Sequence, residues 1–223
     1  METGLVVRRA LKVIRNNARR RSIETMPEKY LIVGLGNPGR EYRYNRHNVG
    51  FMTLDRLVEH HQLTGFTKMQ SKALITTGTV AGAALLLAKP QTYMNLSGQA
   101  VAALVRFYEV PFERLLVCSD DIDLPLGTLR LRPEGGSAGQ KGLESIIDHL
   151  GTQAFPRLRL GIGRPPGVKA AAGYVLRDFK GEDLDTINAT LDRAVEAIES
   201  FLREGIILAM SRFNGPADKL ERQ

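Results

Sequence analysis

The chain has 223 residues, of which 43% are hydrophobic and 25% charged. This length suits one domain with a tail, since about 100–200 residues per domain is usual. No stretch approaches the roughly 18 apolar residues that a membrane span needs. The single cysteine, Cys118, excludes a disulfide framework and a cysteine-based zinc site. These features fit a protein of a reducing cytosol.

The net charge of +7 is concentrated at the N-terminus. Residues 1–25 contain seven basic and two acidic residues, so the rest of the chain is nearly neutral. A positive balance favours nucleic acid as a partner, but bulk charge in a tail does not establish RNA binding. We expect residues 1–28 to form a basic extension, 29–216 the domain and 217–223 a C-terminal tail. The extension fits a mis-called start before Met26, a disordered RNA-binding arm or an organelle transit peptide.

Strands and helices are predicted to alternate from Tyr30 onward. Continuous apolar runs are typical of buried strands, apolar residues at helical spacing indicate helices, and Leu–Arg alternation indicates half-exposed strands. In chain order these patterns give a strand at Tyr30–Gly34, a helix around Phe51–His61, a strand at Ala83–Ala88, a helix at Ser97–Tyr108, strands at Leu115–Ser119, Thr128–Arg132 and Arg157–Gly163, and a helix at Leu184–Leu202. The order predicts a single α/β domain with a mixed, mostly parallel twisted sheet flanked by helices.

A glycine motif after the first strand raises the alternative of a dinucleotide-binding domain. Residues 34–39 read Gly-Leu-Gly-Asn-Pro-Gly, which matches G-x-G-x-x-G. That motif should open a helix and be followed about 20 residues later by an acidic residue closing a second strand. Here an Arg- and Tyr-rich segment follows, and Asp55 lies within a helical pattern. The sequence therefore argues against a dinucleotide site.

Polar side chains cluster where the predicted buried strands end. They are Asn37, His47, Asn48, Asn95 and Asp120. Because sites of open α/β sheets form outside the carboxyl ends of the strands, these side chains can converge in one cleft. The asparagines also fit simple helix caps. Asp120, Asp121 and Asp123 offer oxygen ligands for a divalent metal, but their spacing fits no dedicated metal loop, so no metal is expected.

The sequence lacks a plausible acyl-transfer nucleophile. Cys118 lies in an apolar run and is expected to be a buried, inert thiol, and no Gly-x-Ser-x-Gly elbow exists. His60, His61 and His149 sit in helical patterns without a matching set of metal ligands. If the cleft hydrolyses a substrate, a histidine and a carboxylate activating water is the favoured chemistry, with asparagines stabilising an oxyanion.

Four ordered blocks resemble the bacterial-type peptidyl-tRNA hydrolase family. They are LIVGLGNPG at 31–39, RHNVGF at 46–51, KPQTYMNLSG at 89–98 and DDIDLP at 120–125. The resemblance implies hydrolysis of the ester between a peptide and tRNA, without a cofactor or metal. It also implies peptidyl-tRNA as partner, no membrane association and a monomer in the cytoplasm, with organelle import through the extension as an alternative.

The same resemblance assigns roles to individual residues. His47 matches the catalytic base, Asp120 the carboxylate that supports it, and Asn37 the residue that distinguishes a peptidyl from a free aminoacyl group. Tyr42, Tyr93 and Asn95 match positions that line the cleft for the peptide and terminal adenosine. Arg132 and Arg159 match residues that clamp the tRNA 5′ phosphate. Their alternation with leucines predicts an outward placement that suits phosphate binding, or simply a solvated strand face.

One block departs from the family pattern. The family's Gly-Gly-His-Asn-Gly is here Ala-Gly-Gln-Lys-Gly at 138–142, so Gln140 and Lys141 replace the His-Asn pair. Lys141 can donate through its ammonium group, and Gln140 can supply the lost amide. A non-catalytic RNA-binding relative acting in intron splicing is the rival hypothesis. The retention of His47, Asp120, Asn37 and Asn95 argues against that rival.

Overall fold

A computed structural model describes residues 29–164 and 171–216, with side chains of residues 171 and 172 excluded. The predicted extension at 1–28 and tail at 217–223 lie outside the described residues. The strands are β1 (Tyr30–Gly34), β2 (Lys68–Gln70), β3 (Ala73–Val80), β4 (Ala83–Pro90), β5 (Leu115–Asp121), β6 (Leu129–Arg132) and β7 (Arg157–Gly161). The helices are α1 (Val49–His60), α2 (Ser97–Tyr108), α3 (Lys141–Leu150), α4 (Ala171–Val175), α5 (Glu182–Glu204) and α6 (Ile206–Phe213).

The strands form one mixed sheet in the order β2-β3-β4-β1-β5-β7-β6. The central strands β4, β1, β5 and β7 run parallel to one another. Antiparallel strands extend both edges, β3 and β2 beside β4 and β6 beside β7. The predicted α/β domain with a mixed sheet is therefore confirmed.

Hydrophobic clusters cover both faces of the sheet. Ile32 of β1 packs in the cluster that includes α1, α5 and α6. Its neighbours Leu31 and Val33 pack on the other face, with α2 and α3. A strand buried on both faces needs apolar side chains at every position, which explains the continuous apolar run of β1. Over the described ranges, no helix is long and apolar enough to cross a bilayer.

The glycine motif after β1 serves packing rather than nucleotide binding. A Cβ at Gly34 would lie 2.3 Å from the carbonyl oxygen of Gly50, so these glycines let β1 approach α1. The chain then passes through two short 3₁₀ turns before α1 begins at Val49, so the motif opens no helix. Asp55 lies on α1 and pairs with Lys89. None of this matches a dinucleotide fingerprint.

Two expectations about side-chain exposure are wrong, and several elements were not predicted. The alternation on β6 and β7 is present, with leucines on one face and arginines on the other, but Arg157 of β7 is not half-exposed. Arg157 is 1% exposed. Leu184 was predicted to point inward from the long helix, yet it is 46% exposed, while Ile187 and Leu191 are buried as predicted. The patterns also missed β2, β3 and the short helices α4 and α6, and they gave no bounds for α3 beyond the helical pattern around His149.

Candidate active site

A cleft of about 730 Å³ opens where β1, β5 and β7 end. Its lining brings together most of the residues that the sequence singled out: Asn37, His47, Tyr93, Asn95, Asp120, Lys141 and Arg159. The rest of the lining includes the Gly-rich segment 137–140, the other aspartates, and Val175 and Leu176. The predicted convergence at the carboxyl ends of the strands therefore occurs.

His47 and Asp120 form the central contact of the cleft. His47 lies in the 3₁₀ turn Arg46–Asn48, and Asp120 is the penultimate residue of β5. The Nδ1 atom of His47 is 2.9 Å from Oδ1 of Asp120, and the two side chains are 14% and 5% exposed. An ionised carboxylate only accepts hydrogen bonds, so a neutral imidazole in this contact would carry its proton on Nδ1 and keep the lone pair on Nε2. This tautomer is the one that can accept a proton from water.

Asn37 is fixed by three hydrogen bonds that leave its amide nitrogen available. Its backbone N–H donates to Oδ1 of Asn48 at 2.8 Å, and Nδ2 of Asn48 donates to the Asn37 carbonyl at 2.9 Å. The backbone N–H of Met94 donates to Oδ1 of Asn37 at 2.9 Å. With its oxygen accepting, the side chain presents Nδ2 as a donor in the cleft.

Neither Asn48 nor Asn95 serves as a side-chain helix cap. Asn48 stands at the N-cap position of α1 but makes no capping hydrogen bond. Asn95 is exposed within the 3₁₀ turn Met94–Leu96 and lines the cleft. The capping alternative is therefore wrong for both residues, which leaves Asn48 to orient Asn37 and Asn95 free at the cleft.

Gln140 donates an amide hydrogen bond to the carboxylate of Asp120. It is the N-cap of α3, where its Oε1 accepts from the backbone N–H of Leu143 at 2.7 Å. Its Nε2 donates to Oδ1 of Asp120 at 3.1 Å, the same oxygen that contacts His47. Lys141, the first residue of α3, is exposed on the cleft rim. Gln140 thus orients Asp120, and Lys141 faces the cleft.

The three aspartates at the end of β5 point to three different partners. Asp120 contacts His47, Asp121 pairs with Arg159 at 2.7 Å, and Asp123 pairs with Arg164. Carboxylates that are each matched to a separate partner do not converge on one cation, which removes support for the metal alternative. In the described parts of the chain, the group with metal-ligand spacing is His60, His61 and Glu199, at the far end of α1.

Two of the predicted binding residues lie off the cleft. Tyr42 is half-buried in the 3₁₀ turn Arg40–Tyr42, and Arg132 is exposed at the end of β6. Neither belongs to the lining. Arg159 lies on the arginine face of β7 and lines the cleft, but its side chain is only 19% exposed and is ion-paired, so of the two arginines only Arg132 is freely solvated.

Sequence reasoning missed the role of Arg157. Its guanidinium donates to the carbonyls of Gly135, Gly136 (3.2 Å) and Gln153 (2.8 Å). Burial, reinforced by the nearby charge of Arg159, lowers the pKa of Arg157 to about 10. These bonds hold the start of the Gly-rich segment that lines the cleft. The Leu–Arg alternation gave no signal of this, because the partners are backbone carbonyls of the preceding loops, and their positions do not follow from the side-chain pattern of the strand.

Cys118 is excluded as a nucleophile. It is fully buried in β5, and burial raises the pKa of its thiol to about 12. Since the thiolate is the reactive form, the predicted inert thiol is confirmed. A His–carboxylate pair in an amide-lined cleft is instead the class of site that activates water for hydrolysis.

Comparisons with known proteins agree with this class. A sequence model described as peptidyl-tRNA hydrolase matches residues 31–222. The peptidyl-tRNA hydrolase of Roseiflexus castenholzii is 49% identical over 195 residues, covering 87% of this chain and 91% of that protein. The one of Chloroflexus aggregans is 49% identical over 186 residues, covering 83% and 98%. A crystal structure of peptidyl-tRNA hydrolase from Acinetobacter baumannii superposes with a TM-score of 0.79 at 32% identity, covering 85% of this chain and 98% of that one.

The chain belongs to the peptidyl-tRNA hydrolase family. The family model spans most of the chain, and the relatives align over nearly their whole length. The relatives and the similar crystal structure are all named as hydrolases, which gives no support to the splicing alternative.

Proposed function

We propose that this protein hydrolyses the ester bond between a peptide, or an N-blocked amino acid, and tRNA, and so recycles tRNA from prematurely released peptidyl-tRNA. The observation that carries the proposal is the 2.9 Å contact between His47 and Asp120 in a cleft lined by amide donors. An ester needs an activated water and a place for negative charge on its carbonyl oxygen. The cleft offers both.

His47 acts as the general base in this scheme. Its Nε2 takes a proton from a water molecule as that water attacks the ester carbonyl carbon. The imidazolium is stabilised by the carboxylate of Asp120, which Gln140 holds in place. When the tetrahedral intermediate breaks, the C–O bond to the ribose cleaves, and the proton returns from His47 to the ribose oxygen. The products are a free tRNA hydroxyl and the carboxylic acid of the peptide, which releases its proton to solvent to become the carboxylate.

Amide and ammonium donors take the charge and position the substrate. Nδ2 of Asn37 and the side chain of Asn95 are donors within the cleft, and a well-placed donor to an oxyanion contributes about 3–4 kcal/mol in well-studied enzymes. We assign to Asn37 the role of distinguishing a peptidyl group from a free aminoacyl group. Lys141 lies on the rim of the cleft, and we assign its ammonium group to donate a hydrogen bond to the substrate or to its tetrahedral intermediate.

The tRNA is assigned to the surface around the cleft mouth. Tyr93 is 63% exposed and lines the cleft, which suits stacking on the terminal adenosine. Arg159 and the exposed Arg132 are assigned to phosphate, and Tyr42 to the outer margin of the substrate site. We propose that the protein works without a metal, as a monomer in the cytoplasm, where tRNA is used.

A paired substrate assay tests the function. Purified protein should hydrolyse N-acetyl-aminoacyl-tRNA and leave the matched unblocked aminoacyl-tRNA largely intact, and chelators should not change the rate. The two substrates differ only in the acyl group on the amine, so the comparison isolates recognition of a peptidyl group. Equal rates on both substrates, or no turnover of either, would refute the proposal.

A further inference from the structure

Arg46 has an environment that the proposed chemistry does not use. It directly precedes His47 in the turn Arg46–Asn48, yet it is 7% exposed, an unusual burial for an arginine. Its guanidinium carbon lies 4.6 Å from the ring centre of Tyr174 and 4.6 Å from that of Phe179. A planar cation between two rings is held by electrostatic attraction to their faces as well as by dispersion.

The same arginine reaches the start of α5. Its Nη2 donates to Oδ2 of Asp183 at 2.6 Å. Within the described residues, its buried Nε and Nη1 have no hydrogen-bond partner. Buried donors without acceptors are costly, so the two rings and the single ion pair must offset that cost. The burial of Arg46 despite this cost points to a structural role for its guanidinium group.

The backbone beside Arg46 makes a second connection to the same segment. The N–H of Arg46 donates to the carbonyl of Arg177 at 3.0 Å, and Asn45 pairs with Asp178 as an antiparallel bridge. We call residues 174–179 the wall segment, because Val175 and Leu176 within it line the cleft. The other end of the segment is tied to the sheet by Tyr174, whose hydroxyl donates to the carbonyl of Ile162 at 2.8 Å.

We propose that Arg46 is a positioning residue that fixes the wall segment against the turn carrying His47. It stacks on one ring at each end of that segment, so it sets the distance between the apolar wall and the imidazole. The substrate binds between them. Loss of Arg46 should therefore weaken substrate binding more than it slows the chemical step. This inference rests on the proposed function for its kinetic test only.

A reporter of the wall segment itself separates the two proposals. The chain has no tryptophan, so Leu176→Trp introduces one fluorophore on the cleft lining. In this background, Arg46→Ala should increase the collisional quenching of Trp fluorescence by acrylamide. Arg56→Ala is the matched control, because Arg56 also pairs with α5, through Asp192 and Asn188, but lies on α1 away from the cleft. The control should leave the quenching unchanged.

Kinetics in the otherwise natural chain give the second readout. Arg46→Ala should raise KM about tenfold with a smaller fall in kcat, because the binding wall is displaced more than the base. Arg46→Lys keeps the charge but loses the planar stack and should fall between wild type and Ala. Asp183→Asn, which removes only the ion pair, provides a milder variant should Arg46→Ala fail to fold. Arg46 variants that match the Arg56 control in both quenching and KM would overturn the inference, whether or not the wild type proves to be a hydrolase.

Discussion

The two ends of α1 carry the same chemical contact in different surroundings. Just before its N-terminus, Nδ1 of His47 lies 2.9 Å from a carboxylate oxygen of Asp120. At its C-terminus, Nε2 of His61 lies 2.9 Å from a carboxylate oxygen of Glu199. A histidine beside a carboxylate is thus present twice in one molecule, and distance alone does not separate a catalytic pair from a structural one.

The neighbours of each carboxylate make the difference. Glu199 also accepts from Arg203 at 3.2 Å and lies 3.9 Å from His60, so its charge is shared with an arginine as well as with the histidines. Asp120 instead receives a neutral amide from Gln140, and its charge remains directed at His47. The His47 pair also opens into a cleft with amide donors, and the His61 pair does not. These two features favour His47 as the base: a carboxylate whose charge is not shared with another cation, and amide donors in the adjoining cleft.

Removing each histidine should give the largest contrast. His47→Ala should lower kcat by about 10²–10⁴-fold, the usual contribution of a positioned general base, while the protein stays folded and binds tRNA. His61→Ala should leave hydrolysis unchanged. Turnover of N-acetyl-aminoacyl-tRNA by both variants is the measurement. A His47→Ala variant within tenfold of wild type would refute the mechanism.

Neutralising each carboxylate tests the role of charge. Asp120→Asn keeps the shape and an acceptor for Nδ1 but removes the charge that stabilises the imidazolium, so we expect a loss of about 10²-fold or less in kcat. Glu199→Gln, the same change at the other end of α1, should have no effect on kcat. If chelators abolish wild-type activity and Mg²⁺ restores it, the aspartates at the end of β5 hold a metal instead.

A smaller effect is expected at Lys141, where the chain departs from the family pattern. Lys141→Ala should lower kcat/KM about tenfold or more, equivalent to about 1.4 kcal/mol, and Lys141→Asn should retain substantial activity because it restores the amide. Thermal unfolding serves as control. A lysine in the first turn of α3 opposes the helix dipole, so its removal should not destabilise the protein. An Ala variant equal to wild type in kcat and KM would leave Lys141 without a role.

The smallest effects should come from the two arginines assigned to phosphate. Arg159→Ala and Arg132→Ala should each raise KM and reduce the salt dependence of tRNA binding by about one unit of log–log slope, since each contact releases roughly one counterion. We expect the larger change at Arg159, because its loss also leaves Asp121 in the cleft without its partner. A defect confined to kcat would contradict the phosphate assignment.

Local hydrophobic patterns in the sequence predicted most of the fold. The bounds of β1 and α2 follow directly from an apolar run and an apolar helical face. The convergence of Asn37, His47, Asn95 and Asp120 followed from the rule that parallel strands end at one edge of a sheet. Both kinds of inference use neighbours in sequence or a general property of sheets.

Contacts between distant segments were not predictable in this way. Arg157 belongs to a regular Leu–Arg alternation, and only the loops that fold over its face make it buried. Arg46 likewise meets its ring and acidic partners about 130 residues further along the chain. Gln140 was expected to supply an amide, but its simultaneous bonds to α3 and to Asp120 depend on where the helix starts.

Alkylation of Cys118 can be used to measure unfolding of the protein. Cys118 is the only thiol in the chain, it is fully buried in β5, one of the central strands, and burial raises its pKa to about 12. Alkylating reagents should therefore leave the native protein unmodified and its hydrolysis intact. The side chain of Cys118 packs in the hydrophobic cluster that includes α1, α5 and α6, so modification requires that this core opens, and the rate of labelling under native conditions should report global unfolding. A ligand that binds only the folded protein should slow this labelling by the factor 1 + [L]/Kd, where [L] is the free ligand concentration.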